Sequence, residues 1–158
     1  MRRKDREVAG LEDKLAIIKK CQILRLAMSN DDQPYILPVN FGMEMQGDEL
    51  LLYIHGATRG KKVDMIKNNP NVCFEMDTEH GLIEAELPQD YSYTYASIIG
   101  FGKAELLEDM DQKIHGLKQV MKKITGRDDF VIDEKVARHT MVCKIRVHEF
   151  SGKRRPKP

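Results

Sequence analysis

Tryptophan is absent from this chain, and five tyrosines and five phenylalanines are its only aromatic rings besides histidine. Any stacking against a flat ligand therefore falls to Tyr, Phe or His. Cysteine is scarce as well. Cys21, Cys73 and Cys143 are odd in number and far apart, which fits neither a zinc cluster nor a disulfide framework. Each sits in an apolar or strand-like run, so we read them as buried, reduced thiols of a cytoplasmic protein. An excess of one charge is also missing. With 26 basic and 25 acidic side chains, no global field recruits nucleic acid or an anionic membrane. No apolar run is long enough to cross a bilayer, and the N-terminus lacks the apolar stretch of a signal peptide. The 158 residues suit one domain, 1–158, with a proper core. Basic residues gather at both ends, in Met1–Arg6 and Gly152–Pro158. Solvated ends account for them, with contact to a polyanion as the rival reading. The expectation is no nucleic-acid partner and no membrane partner.

What the chain does have is concentrated in Leu50 to Asp64. A buried strand runs through a Gly-bounded loop into a short helix, and the loop and first turn carry Thr58, Arg59, Lys61 and Lys62. Free backbone N–H groups and the positive end of the helix dipole meet there, an arrangement that suits a phosphate. Gly56 and Gly60 do not have Walker-loop spacing. His55 stands at the strand end.

Elsewhere, Leu11, Leu15 and Ile18 mark an amphipathic helix ending near Cys21. Ile23 to Met28 reads as a strand, then a polar turn from Ser29 to Pro34. From Tyr35 the period becomes two: Tyr35, Leu37, Val39 and Phe41 share one face, Ile36, Pro38, Asn40 and Gly42 the other. Gln46-Gly47-Asp48 is a hairpin turn into Glu49–His55. The helix opening near Gly60 buries Val63 and Ile66 and stops before Pro70. Val72 to Met76 is a strand, a long polar loop from Asp77 to Tyr95 follows, and Ser97 to Leu106 is the next strand. In it Gly100 and Gly102 signal either close approach of a flat group or backbone, or a bulge. Ile114, Leu117, Val120, Met121 and Ile124 form a helical stripe closed by Gly126. Asp133 caps a further short helix. In the last strand Met141, Cys143, Ile145 and Val147 point inward. His80, His115, His139 and His148 lack ligand spacing, so no metal is expected. Six strands joined by hairpin turns, with few and peripheral helices, predict a mainly β antiparallel barrel rather than a doubly wound sheet.

Several segments in this order resemble the FMN-binding split-barrel superfamily. Within it they are similar to the pyridoxamine 5'-phosphate oxidase-related proteins of the nitroimidazole-resistance type. They are Met1–Glu7, Arg25–Met28, Pro34–Gly42, Tyr53–Ala57, Gly60–Lys62, Asn69–Glu75, Ser97–Ala104 and Phe150–Arg154.

The resemblance implies a six-stranded split β-barrel, a homodimer, and FMN in grooves at the subunit interface. Pro38, Val39, Asn40 and Phe41 would run beside the isoalloxazine, and Tyr53, Ile54, His55, Gly56 and Ala57 would line the neighbouring wall. Lys61 and Lys62, with Arg59, would hold the phosphate, and Tyr93, Tyr95 and Ser97 would come from the partner subunit. His55 would be the catalytic residue, bonding a nitro or carbonyl oxygen of a small planar substrate and giving it a proton. Four residue-level alternatives stand beside this: a His55 that caps a strand, solvated Lys61 and Lys62, an Asn40 that makes a sheet-edge contact, and tyrosines (Tyr91, Tyr93 and Tyr95) that pack a lid. The rival reading is a flavin- or haem-binding protein without turnover, haem being held through an axial histidine, His55 or a tail histidine. Pyridoxamine phosphate is not expected as substrate, because the basic C-terminus does not align with the substrate-binding residues of true oxidases.

Overall fold

The computed structural model describes residues 3–156. Among them run β1 (Glu7–Val8), α1 (Leu11–Lys20), β2 (Leu24–Asn30), β3 (Gln33–Val39), β4 (Phe41–Gln46), β5 (Glu49–Gly56) and α2 (Lys61–Asn68). The chain continues through β6 (Asn71–Ile83), β7 (Ser92–Leu106), α3 (Met110–Thr125), α4 (Glu134–Arg138) and β8 (Met141–Arg155). Met1, Arg2, Lys157 and Pro158, the outermost parts of the two basic ends, lie outside the described residues.

Every strand pairing is antiparallel, in the order β3-β2-β6-β7-β8-β5-β4, with β1 beside β8. Strands β3 and β4 end that order on opposite sides, yet only Asn40 separates them in sequence. Since a residue advances at most about 3.6 Å, the sheet must curl until its two edges meet at Asn40. It is a barrel joined at one corner by the chain itself and split along the rest of the seam.

Two expectations need correction. The sheet has eight strands rather than six. The single run expected from Tyr35 onward is divided at Asn40, because Val39 pairs with Leu24 on β2 while Phe41 pairs with Ile54 on β5. The eighth strand is the two-residue β1. The polar loop expected from Asp77 to Tyr95 is instead mostly a long β6–β7 hairpin, paired as far as Ile83 and Ser92 with a register shift between Thr78 and Gly81. Its polar composition reflects a two-stranded ribbon with little core on either face. The C-terminal basic stretch is also strand, since β8 runs to Arg155.

The barrel interior is filled from all sides by alternating residues such as Leu24, Leu26, Phe74, Met76, Ile98, Cys143 and Ile145, all fully buried. Helices α1 and α2 add Ile17, Ile18, Val63 and Ile66 to the same cluster. A second cluster lies outside the wall, where Leu117 and Val120 of α3 and Ala137 of α4 cover Leu51, Tyr53 and Val142. Gly42 permits that contact: a Cβ there would come within 2.5 Å of the α3 backbone at Gln119 and Val120. Both readings of the glycine pair in β7 are realised. A Cβ on Gly100 would strike the flat Phe74 ring, and the β7–β8 register shifts between Phe101 and Gly102. Asp109 and Asp133 cap α3 and α4 through their side chains, and Gly126 ends α3 in the left-handed region. All three cysteines are free; burial raises the Cys21 thiol to about 11 and Cys143 to about 12.

Candidate functional site

Strand β5 loses its β4 partner after Ile54 but keeps β8 as far as Gly56, which pairs with Met141. The chain then turns through residues 57–60 into α2. Gly60, at φ 124, adopts a conformation that side chains resist, and no side chain caps the helix it begins. The amides of Val63 and Asp64 bond to the Gly60 carbonyl. Among the described residues no acceptor meets those of Lys61 and Lys62, which leaves them to meet an anion at the positive helix end.

The basic side chains are disposed around this turn. Lys62 folds back over the strand end, so that a Cβ on Gly56 would lie 2.7 Å from its Nζ. Burial lowers the Lys62 pKa, with an opposing influence from Cys143. The His55 imidazole is lowered too, first by burial and then by the Lys62 charge. Lys61 lies over the Tyr35 ring of β3, 4.4 Å from its centroid, which ties the start of α2 to the edge strand. None of Arg59, Lys61 and Lys62 has an acidic partner among the described residues. Cations gathered at a helix N-terminus repel its dipole unless an anion offsets them.

On the other side stands the seam. The outer edge of β3 carries backbone groups that pair with no strand. Extending the Phe41–Ile54 register by one step sets Asn40 opposite His55, and opposed residues of an antiparallel pair point to the same face. The structure thus brings together the β3 edge, Asn40, His55 and the basic helix start. The side chains of this set differ in availability. Pro38 and Asn40 are exposed and Val39 is half-buried, whereas Phe41 and Ile54 are wholly inside the barrel. The last two can offer a ligand only main-chain atoms.

Tyr53 departs further from the expected wall. Its ring is 3% exposed and packs under α3 against Gly116 and the edge of His115. Its hydroxyl donates to Glu44 Oε1 at 2.5 Å, and His115 Nε2 lies 3.0 Å from both Glu44 oxygens. Burial, then the bond to Glu44, pushes the phenol pKa up. This cluster clamps α3 to the barrel wall. Sequence reasoning missed it because Glu44 and His115 are remote in the chain, and no local spacing announces their meeting.

Tyr93, Tyr95 and Ser97 lie elsewhere in the same chain. Tyr95 and Ser97 pair with Arg155 and Lys153 at the far end of β8, while His55 pairs with Val142 at its start. Val142 and Lys153 are separated by roughly 35 Å of strand at the usual rise. Tyr93 is 51% exposed on the hairpin arm; Tyr95 accepts from Arg6 at 3.4 Å, with Lys153 over its ring. One chain does not gather these residues around His55. Among the described residues, no helix is long and apolar enough to cross a membrane.

Comparison with solved structures returns the same architecture. A Bacteroides thetaiotaomicron VPI-5482 protein, for which a 5-nitroimidazole antibiotic resistance role is proposed, is similar at 29% identity and a TM-score of 0.80, covering 93% of this chain and 85% of that one. The flavocytochrome Anf3 of Azotobacter vinelandii is similar at 20% identity, TM-score 0.81, covering 100% and 73%. An FAD and heme binding protein of Mycobacterium smegmatis is similar at 19% identity, TM-score 0.80, covering 96% and 74%. Among curated proteins none matches the chain significantly. The sequence profile of one family matches residues 12–154, which includes the β3 edge, the His55 strand end and the basic helix start alike. On that match and that fold, the chain belongs to the pyridoxamine 5'-phosphate oxidase family of split-barrel proteins.

Proposed function

We propose that this protein binds FMN at the seam and, as a homodimer, passes its electrons to a small planar acceptor, nitroimidazoles among them. The observation that carries the reading is Lys62: a half-buried ammonium with lowered pKa, at the helix start that follows Arg59 and Lys61 in the chain, with no acidic partner among the described residues. A terminal phosphate supplies the missing charge, and charge-assisted bonds of this kind are short and strong. The relative at 29% identity, with its proposed 5-nitroimidazole resistance role, supports the choice of acceptor.

In this arrangement Arg59, Lys61, Lys62 and the first amides of α2 hold the phosphate. The unpaired edge of β3, from Pro38 through Asn40, bonds the polar rim of the ring system. FMN, when bound, supplies two electrons at a time. The protein's own chemistry falls to His55. Although His55 is exposed overall, partial burial of its ring and then the Lys62 charge lower its pKa; it hydrogen-bonds an acceptor oxygen, and in its protonated state it is a stronger acid than a free imidazole. Reducing a nitro group to a nitroso group takes two electrons and two protons and releases water, so a proton donor beside the oxygen has a defined use. Tyr93, Tyr95 and Ser97 of a second copy would close the groove, which the length of β8 denies to a single chain.

The test is anaerobic. FMN-loaded protein is reduced chemically, mixed with 2-methyl-5-nitroimidazole, and followed by return of the oxidised flavin band. Wild type should reoxidise with loss of the nitro absorbance, and His55→Gln should bind FMN normally yet react at least about tenfold more slowly. Reoxidation at equal rates in both proteins would remove His55 from the reaction; no reoxidation by any nitro-aromatic would refute the acceptor class.

A further inference from the structure

Beside Asn40 opens a second cleft, which shares only that residue with the flavin seat. It has a volume of about 350 Å³ and lies between the C-terminal ends of α1 and α3. Lys19, Lys20 and Lys123 supply its charge, and Ile23 and Ile124 its apolar walls. Cations at the ends of two helices complement the helix dipoles, but that does not account for the rest. Ile124 belongs to the apolar stripe of α3 yet stays 55% exposed, and Ile23 38%. Lys123 reaches inward, donating to the Cys21 carbonyl at 2.6 Å and lying 5.0 Å from the Phe41 ring centroid. Among the described residues, Lys20 alone of the three lysines has an acidic partner, Glu79 at 2.6 Å. The result is a cleft with an apolar side, a cationic side and the Asn40 amide among its lining.

We infer that this cleft is the acceptor subsite of the seam, and that the acceptor it takes is a planar molecule bearing a carboxylate or comparable anionic group. Asn40 is the joint: it lines the cleft and directly precedes Phe41, whose strand partner Ile54 is next to His55 in the chain. An acceptor with its ring between Ile23 and Ile124 presents its anionic group to Lys19 and Lys123 and its reducible end toward Asn40 and His55. A neutral ring of the same shape fills the apolar part but offers Lys19 and Lys123 no counter-charge. The role as acceptor subsite rests on the flavin reading; the preference for an anion does not.

The probe is 4-nitrobenzoate, with 4-nitrobenzyl alcohol as its neutral counterpart, titrated calorimetrically into the purified protein without and with FMN. The anion should bind at least about tenfold more tightly than the alcohol. Lys19→Gln/Lys123→Gln should abolish that preference, with alcohol binding and FMN affinity within about twofold of wild type. Because Lys123 also holds the Cys21 carbonyl, Lys123→Arg serves as the folding control and should keep the preference. Equal binding of the two probes to wild type, or a preference that survives the double substitution, overturns the inference. If FMN fails to bind while the lysine-dependent anion preference persists, the flavin reading and the acceptor role fall and the anion subsite stands. If FMN binds and no preference exists, the subsite alone falls.

Discussion

Lys62→Met keeps the length and the apolar stem of the side chain and removes its charge, which makes it a sharp probe of the seam. In the free protein the ammonium sits over Gly56, half-buried, its pKa lowered by that burial. Removing it relieves a desolvation cost and breaks no ion pair among the described residues. The unloaded variant should therefore melt at the wild-type temperature or above it, at about 2–4 °C per kcal/mol of relieved cost for a chain of this size. FMN affinity should move the other way. A charged hydrogen bond to phosphate contributes about 1.5–3 kcal/mol, which corresponds to roughly 10- to 150-fold weaker binding. The assay is paired: thermal unfolding of the unloaded protein, and FMN titration followed by flavin fluorescence. Lys67→Met, an exposed change in the last turn of the same helix, is the control and should alter neither. A variant that melts several degrees lower while binding FMN normally would make Lys62 a packing residue and refute the phosphate assignment.

His55 should titrate below the ordinary value of 6.5 in the unloaded protein, because burial and Lys62 disfavour its charge. The native state then holds fewer protons than the unfolded chain between the lowered pKa and 6.5, so stability from this residue rises with pH across that window and is least below it. Imidazole proton shifts in NMR check this, and bound phosphate should move the midpoint upward. Tyr53→Phe should destabilise the fold by about 0.5–1.5 kcal/mol in urea through loss of its bond to Glu44. It should also leave FMN affinity within about twofold; a large loss would return that ring to the site. Gly42→Ala should cost about 1–3 kcal/mol, because its Cβ meets the α3 backbone rather than a side chain that can yield. An unchanged urea midpoint would mean that α3 is not seated as described.

Much of this was legible in the sequence. The alternation of Met141, Cys143, Ile145 and Val147, the stop at Pro70 and the turn at Gly47 each encode structure locally, and the strands and helices follow. Local periodicity is blind to partners. The run from Tyr35 to Gly42 alternates without a break, so nothing in it says that Val39 joins β2 while Phe41 joins β5. The hairpin from Asp77 to Tyr95 is equally silent, since a ribbon without a core needs no apolar alternation. At the site, Gly60 and the lysines after it announce themselves because a helix start is a local event. Tyr53 reads as a wall residue until α3, more than fifty positions later, covers it. Lys19 and Lys123 reach one cleft only through the fold.

The most direct test of the central claim is the visible absorption spectrum of the purified protein, taken before and after FMN is added, with release and identification of any bound chromophore. The account predicts a flavin spectrum, FMN on release, and uptake in proportion to protein. A sharp Soret band from haem, or a colourless protein that takes up no FMN, would contradict it.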